Sequence, residues 1–151
     1  MYTAKWLKYD GELPLEQLLE DAFAIREAVF VREQGFSRDL EFDATDAAAW
    51  HLVLYGENQH PLATGRLFAD EKQPGLWHLG RLAVCKDARG RGMGRLALLE
   101  MEKMAEFLDA SRLVLSAQQQ ACGFYEKLGY QPVGKPYLDE FCPHIRMEKA
   151  L

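Results

Sequence analysis

Apolar side chains recur along most of the chain at spacings that predict strands and helices. Residues 2–9, YTAKWLKY, alternate well enough for a first strand. Residues 15–36 place apolar side chains every three or four positions, which predicts one bent helix or two, ended by Gly35. The acidic stretch 37–49 has no clear period and is predicted to be a loop.

The rest of the chain also shows the apolar spacings of strands and helices. Further strands are predicted within residues 50–60, 61–70, 76–84, 112–118 and 144–151, and further helices within 93–108 and 119–130. A strand, a helical segment, a three-strand meander and then helix, strand, helix and strand describe a mixed sheet with helices on both faces. At 151 residues, we expect a single domain spanning residues 1–151.

Composition and charge exclude several classes of protein. Hydrophobic residues make up 48% and charged residues 27%, which is ordinary globular usage, and the net charge of −5 argues against a nucleic-acid partner. Cys85, Cys122 and Cys142 are an odd number without CxxC spacing, which favours neither a disulfide framework nor a zinc site. With no apolar run near the roughly 20 residues of a membrane span, we expect a cytoplasmic protein without a membrane partner.

The strongest chemical signal is RGRGMG, residues 89–94, directly before a predicted helix. The first turn of a helix has unpaired backbone N–H groups and the positive end of the helix dipole, so it attracts phosphate groups. Glycines let a phosphate approach those amides, and Arg89, Arg91 and Arg95 add positive charge. The stretch therefore predicts a phosphate-binding loop, although a glycine turn that merely starts a helix is the simpler alternative.

Two common nucleotide-binding motifs do not match this loop. A P-loop requires Lys and Ser or Thr after its glycines, whereas Arg95 and Leu96 follow Gly94. A dinucleotide-binding fingerprint requires a different glycine spacing and an acidic residue about twenty positions further on.

Arg89-x-x-Gly92-x-Gly94 follows LGRLAV, and GFYEKLGY appears about thirty residues later, after the next predicted strand. Together with the order of elements, these motifs resemble the GNAT superfamily of acyl-CoA-dependent N-acetyltransferases. Within it, REAVFVREQGF, EFDATDAAAWHLV and PHIRMEK look like small bacterial members of the ElaA/YjcF-like group. The resemblance covers nearly the whole chain. It implies an α/β fold with a central mixed, mostly antiparallel sheet, helices on both faces and a splayed strand pair that forms the CoA cleft.

The resemblance also implies acetyl-CoA as the acetyl donor, and the spacing of possible ligands predicts no metal. The backbone of Leu82, Ala83 and Val84 would bond the pantetheine arm. The diphosphate would lie on the loop and the start of its helix, at Arg89, Gly90, Arg91, Gly92, Met93, Gly94 and Arg95. No His, Cys or carboxylate pair within one element has the spacing of a metal site.

Tyr125, in GFYEKLGY, matches the usual general acid of the family. A phenol with an ordinary pKa of about 10 is protonated at neutral pH and can give its proton to the departing CoA thiolate. The simpler alternative is that Tyr125 only packs its helix. For the general base, the matching strand position holds His78, where some relatives have Glu. The alternatives are that His78 is only structural, that His51 or His144 is the base, or that a water chain leads the proton to solvent.

The resemblance places the acceptor site beside the early helix and the last strand. Candidate residues there are Arg26, Phe30, Glu33, His51 and His144. Each of the two histidines could face the acceptor or bond a backbone carbonyl. The acidic stretch with Glu41, Asp43 and Asp46 allows two interpretations: it attracts a cationic amine, or it is simply a solvated loop.

The predicted function is direct transfer of the acetyl group from acetyl-CoA to a primary amine. Cys85 and Cys122 lack an evident base in the sequence, so no acyl-enzyme is expected. The alternative from another class is a non-catalytic acyl-CoA-binding or regulatory module. The acceptor, whether a small-molecule amine or a protein or peptide amine, and assembly into a homodimer are left open by the sequence.

Overall fold

The structure, a computed structural model, describes all residues from Met1 to Leu151. The strands are β1 (Thr3–Lys8), β2 (Trp50–Tyr55), β3 (Pro61–Ala69), β4 (Leu76–Val84), β5 (Arg112–Gln118), β6 (Gln131–Asp139) and β7 (Cys142–Ala150). The α-helices are α1 (Gln17–Arg26), α2 (Arg38–Glu41), α3 (Met93–Phe107) and α4 (Cys122–Glu126). Helix α1 continues without a break into a π-helical segment, Glu27–Glu33. No helix is long and apolar enough to cross a membrane.

The strands form one sheet in the order β1-β2-β3-β4-β5-β7-β6. All neighbours are antiparallel except β4 and β5, which are parallel and joined through α3. The expected mixed, mostly antiparallel sheet is confirmed.

Each face of the sheet carries its own apolar core. In β2, Leu52 and Leu54 belong to the cluster that packs on α3, while Val53 between them belongs to the cluster that packs on α1. Successive strand residues point to opposite faces, so these assignments put α1 and α3 on opposite sides of the sheet. The fully buried Met101 of α3 and the fully buried Ala22 of α1 mark the two layers.

One prediction from the pattern was wrong, and one strand was missed. The stretch 37–49 is not a loop throughout, because it contains α2 and a 3-10 segment at Ala44–Ala48. Strand β6 was not predicted, because Pro132, Gly134 and Pro136 interrupt its alternation. It forms the edge of the sheet, and all nine of its residues are exposed. Because the strand buries neither face, its sequence has no alternating apolar pattern.

Candidate active site

The parallel strands β4 and β5 separate soon after they meet. They pair only from Leu76 to His78 on β4 and from Arg112 to Val114 on β5. Beyond this point each strand keeps a partner on its other side only, β3 for β4 and β7 for β5. A cavity of about 670 Å³ is lined by both strands where they diverge. The splayed pair expected from the sequence is therefore present, and the edge of β4 that faces the gap has no strand partner.

A bulge in β4 changes the direction of the strand beside the cavity. Arg81 and Leu82 together oppose the single residue Gly65 of β3, and Arg81 has a left-handed backbone with φ +52°. A bulge re-aims the side chains it carries. The side chain of Arg81 lines the cavity and reaches Glu41, with 2.9 Å between Nε and Oε2.

The glycine loop leaves its backbone amides free. Gly90 (φ +79°) and Gly92 (φ +75°) are left-handed, and α3 begins directly after Gly92. The N–H groups of residues 90–95 make no hydrogen bond within the protein. A Cβ atom at Gly90 or Gly92 would meet nothing within 4 Å, so the space beyond both glycines is open. This arrangement fits a diphosphate, because it offers unpaired donors at a helix N-terminus with room for an anion.

The three arginines near the loop have different partners. Arg89 donates two hydrogen bonds to Glu33, of 2.6 and 2.7 Å, and a third of 3.2 Å from Nε to the Val84 carbonyl. Arg91 reaches only the Asp87 carbonyl at 3.4 Å, and Arg95 is exposed without a protein partner. The hydrogen bonds from Arg89 hold the pKa of the Glu33 carboxyl below its ordinary value.

Tyr125 lies on α4, and its side chain lines the cavity. Its ring packs edge-on against Phe124 and Tyr130, with centroids 5.0 and 5.9 Å away. Its hydroxyl has no hydrogen-bond partner in the protein, whereas the Tyr130 hydroxyl donates to Glu102 at 2.8 Å. Burial raises the pKa of Tyr125 to about 12, so the phenol keeps its proton at neutral pH.

His78 lines the same cavity at the point where β4 and β5 part. Its ring stacks on Phe68 of β3, with centroids 4.9 Å apart and planes 4° from parallel. Nε2 lies 2.8 Å from Oδ1 of Asp70, just beyond the end of β3. Nδ1 has no hydrogen-bond partner in the protein, and it is not fully buried.

The acidic stretch is neither a solvated loop nor a free anionic patch. Three of its four carboxylates, those of Glu41, Asp43 and Asp46, belong to an ionic cluster with Arg26, Arg66 and Arg81. Arg26 contacts Glu41 at 2.9 Å and Asp46 at 2.8 Å, while Arg66 contacts Asp43 at 2.7 Å and Asp46 at 2.9 Å. Three positive and three negative side chains thus balance one another, and each of the four buried members has a partner of opposite charge.

The two most buried carboxylates of the ionic cluster respond differently to their surroundings. Burial raises the pKa of Glu41, and its arginine partners offset this only in part. Burial also pushes the pKa of Asp46 upward, but hydrogen bonds and charges from Arg26 and Arg66 outweigh it, so the net pKa is lowered. Asp46 is therefore the more firmly ionised of the two.

Three of the expected acceptor residues lie away from the cavity. Arg26 is only 1% exposed and is occupied by the ionic cluster. His51 is also buried, donates from Nε2 to the Asp46 carbonyl at 3.0 Å, and has a pKa lowered by burial. Glu33 is held by Arg89. In each case the side chain is held by a partner from another segment of the chain, between 5 and 56 positions away.

Phe30 and His144, the other two expected acceptor residues, do line the cavity. His144 is buried, and its Nδ1 donates to the Cys142 carbonyl at 2.9 Å. Of the expected cofactor residues, Leu82 lines the cavity, while Ala83 and Val84 pair with β3. Nowhere does the structure bring together three or more His, Cys, Asp or Glu side chains suited to a metal ion.

Residues just after the early helical segment contact the end of β5 and the turn between β6 and β7, beside the cavity. Gln118 Nε2 donates to Gln34 Oε1 at 2.7 Å, and the Ser37 amide donates to the Glu140 carboxylate at 3.0 and 3.1 Å. The rings of Phe36 and Phe141 stack with centroids 5.0 Å apart.

Sequence reasoning missed Asp70 and Arg81. Asp70 opens the turn after β3, where an Asp that caps backbone amides is typical, but its contact with His78 depends on the register of β3 and β4. Arg81 lies within LGRLAV, and nothing in this local sequence predicts the bulge in β4.

The fold and the site together define an acyl-CoA-dependent acyltransferase, and the chain belongs to the GNAT acetyltransferase family. The model of the acetyltransferase (GNAT) domain matches residues 23–151. The chain is 37% identical over 135 residues to the uncharacterised N-acetyltransferase YjcF of Bacillus subtilis, covering 89% of this chain and 94% of that one.

Solved structures agree with this membership. Escherichia coli ElaA superposes with a TM-score of 0.84 at 25% identity, over 99% of each chain. An acyl-CoA N-acyltransferase from Pseudomonas aeruginosa superposes with a TM-score of 0.82 at 29% identity, over 98% of this chain and 100% of that one. The resemblance to small bacterial GNAT proteins is confirmed.

Proposed function

We propose that this protein transfers the acetyl group of acetyl-CoA directly to the primary amine of a small molecule. The observation that carries the proposal is that Tyr125, a protonated phenol, and His78 line the same cavity. The Tyr125 hydroxyl and Nδ1 of His78 have no hydrogen-bond partner in the protein. Membership of the acetyltransferase family supports acetyl as the group transferred.

The donor binds along β4 and over the glycine loop. The free edge of Leu82–Val84 suits the amide groups of a pantetheine arm, because an extended chain can add to an unpaired strand edge. The free amides of residues 90–95 hold the diphosphate, with Arg89 and Arg91 nearby.

The reaction moves two protons. The acceptor reacts as the neutral amine, its ammonium form having first lost one proton to solvent. The amine nitrogen attacks the thioester carbonyl carbon, and His78 takes one proton from that nitrogen. When the tetrahedral intermediate collapses, the C–S bond breaks and Tyr125 protonates the departing thiolate. The products are the acetamide and CoA, and the two side chains return to their starting states by exchange with solvent.

Direct transfer is favoured over an acyl-enzyme because the thiol of Cys85, the cysteine just before the glycine loop in the chain, is held protonated. The thiol of Cys85 donates to the Pro61 carbonyl at 3.3 Å, and burial raises its pKa. A thiol held protonated is a poor nucleophile. Cys85 also does not line the cavity.

A small amine is favoured over a protein lysine because contacts cross the groove between the early helix and the last strands. The Gln34–Gln118 hydrogen bond, the Ser37–Glu140 hydrogen bonds and the stacked Phe36 and Phe141 rings would have to open for a polypeptide to lie there.

The direct test is calorimetry with acetyl-CoA, followed by thiol release with a panel of amines. The panel contains small amines, amino acids, polyamines and aminosugars, and also lysine and N-terminal peptides. We expect acetyl-CoA binding and release with at least one small amine. Release only with peptides would contradict the small-amine class. Binding without any release would favour a non-catalytic acyl-CoA-binding module, and no binding would refute the donor site.

Tyr125→Phe tests the acid. We expect kcat to fall by about 10²- to 10⁴-fold, the usual share of general acid catalysis, with acetyl-CoA affinity unchanged by calorimetry. The matched control is Tyr130→Phe, because Tyr130 packs against Tyr125 but its hydroxyl bonds Glu102. The control should lose stability but keep kcat. Unchanged turnover in Tyr125→Phe would remove Tyr125 from the acid role.

A further inference from the structure

His78 and Asp70 form an imidazole–carboxylate pair at the edge of the cavity. The Asp70 carboxylate is fixed by the turn between β3 and β4, where Oδ2 accepts from the backbone N–H groups of Lys72 (3.0 Å) and Gln73 (2.8 Å). Oδ1 then faces Nε2 of His78 at 2.8 Å. The hydrogen bond with His78 and these two amides lower the pKa of Asp70 to about 2, so its carboxylate is ionised at any working pH.

An ionised carboxylate can only accept hydrogen bonds, so the pair fixes where the histidine carries its proton. A neutral imidazole has one N–H group, and the nitrogen that faces a carboxylate must be the one that bears it. The proton of neutral His78 therefore lies on Nε2, and the lone pair lies on Nδ1. Stacking on Phe68, 4.9 Å away and nearly parallel, holds the plane of the ring.

The other histidines of the chain do not combine these features. His51 and His144 are 1% and 6% exposed, and each donates to a backbone carbonyl. His60 has a carboxylate partner, Asp87, at 2.9 Å, but it is exposed and does not line the cavity. Only His78 lines the cavity, has a carboxylate as the hydrogen-bond partner of one ring nitrogen, and keeps the other ring nitrogen free of protein partners.

We propose that Asp70 is a positioning residue that holds His78 in the Nε2–H tautomer, so that Nδ1 accepts the proton of the attacking amine. The inference rests on the proposed function, in which His78 is the base. The proton passes from the amine nitrogen to Nδ1, giving an imidazolium whose Nε2–H still donates to the ionised Asp70. The imidazolium then loses the Nδ1 proton to solvent, and no other reactant is required.

The first measurement uses the wild-type protein and does not depend on activity. Two-bond ¹H–¹⁵N correlation spectra of ¹⁵N-labelled protein at about pH 8.5, above the ordinary imidazole range, distinguish the two tautomers by their nitrogen shifts. The His78 signals are assigned by their loss in His78→Gln. We expect the Nε2–H pattern for His78. An Nδ1–H pattern overturns the proposal.

The second measurement uses Asp70→Asn. The amide oxygen of Asn can still accept from the turn amides, which leaves its NH₂ group to face Nε2. Nε2 must then accept, and the proton moves to Nδ1. We expect the spectrum to change to the Nδ1–H pattern and kcat to fall by about 10²- to 10⁴-fold, with the KM for acetyl-CoA little changed. Asp87→Asn is the matched control, because its carboxylate pairs with His60 alone, and it should leave kcat unaltered.

The outcomes separate this inference from the function on which it rests. If His78→Gln keeps full kcat, His78 is not the base and both proposals about it fail. If His78→Gln loses activity while Asp70→Asn keeps both kcat and the Nε2–H pattern, the base stands and the positioning role of Asp70 is wrong. If the tautomer changes in Asp70→Asn without loss of kcat, the positioning role is also overturned.

Discussion

The donor and acceptor sides of the cleft are built in different ways. The proposed donor side is one continuous segment, in which the backbone amides of residues 90–95 are free of protein partners and two left-handed glycines set the geometry. The acceptor side is assembled from the early helical segment, the ionic cluster, the β4 bulge and the last strands. The contrast teaches that a main-chain site leaves a compact motif in the sequence, whereas a site made of distant side chains does not.

The largest effect expected from this comparison is that of Gly92→Asp on the donor side. The carboxylate would lie where the diphosphate binds, and we expect acetyl-CoA affinity to fall by more than about 100-fold in calorimetry. The helix itself should form, since Asp is favoured at the N-cap position and tolerates left-handed backbone. Gly134→Asp is the matched control, because Gly134 has φ +79° and open space around it but lies on edge strand β6. Normal affinity in Gly92→Asp would mean that the loop is not the phosphate site.

A smaller effect of another kind is expected from Arg26→Met on the acceptor side. Removing this guanidinium leaves Glu41 and Asp46 buried with one cation fewer, and breaking such a cluster costs about 3–5 kcal/mol of stability. Chemical denaturation measures the loss, and the folded fraction should bind acetyl-CoA as the wild type does. In the control Arg38→Met, the lost ion pair with Glu27 involves an arginine that is 66% exposed, so about 1 kcal/mol or less is expected. A stable variant with an altered acceptor KM would restore Arg26 to the acceptor site.

The smallest effect concerns the contact that joins the two sides. Glu33 neutralises Arg89, so Glu33→Gln should free that guanidinium for the diphosphate and tighten acetyl-CoA binding about two- to fivefold at low salt. The tightening should shrink as salt is added. Glu106→Gln, an exposed glutamate near the far end of α3 without an ion pair, controls for the change in net charge. Weaker binding in Glu33→Gln would show that the ion pair orients Arg89 for the donor rather than competing with it.

Most of the fold could be predicted from the sequence, because the long helices bury one face and six strands bury one or both faces, which leaves periodic patterns or short apolar runs. Strand β6 could not, since it is an exposed edge rich in proline. At the site, the motifs pointed to the loop and to Tyr125, and the loop amides and the phenol are free of protein partners. Arg26, Glu33 and His51 were expected on the acceptor side, but each is held by a partner at least five positions away.

Patterns in the sequence were enough to identify the family, the sheet with its two layers of helices, and the loop between β4 and α3. These depend on local periodicity and on glycines that permit left-handed backbone, and both are written in consecutive residues. Three features became visible only in the folded protein. Three arginines neutralise the acidic stretch, Arg81 turns toward it on a bulge, and Asp70 faces His78. Those contacts depend on strand register and on the packing of segments far apart in the chain, which no local pattern specifies.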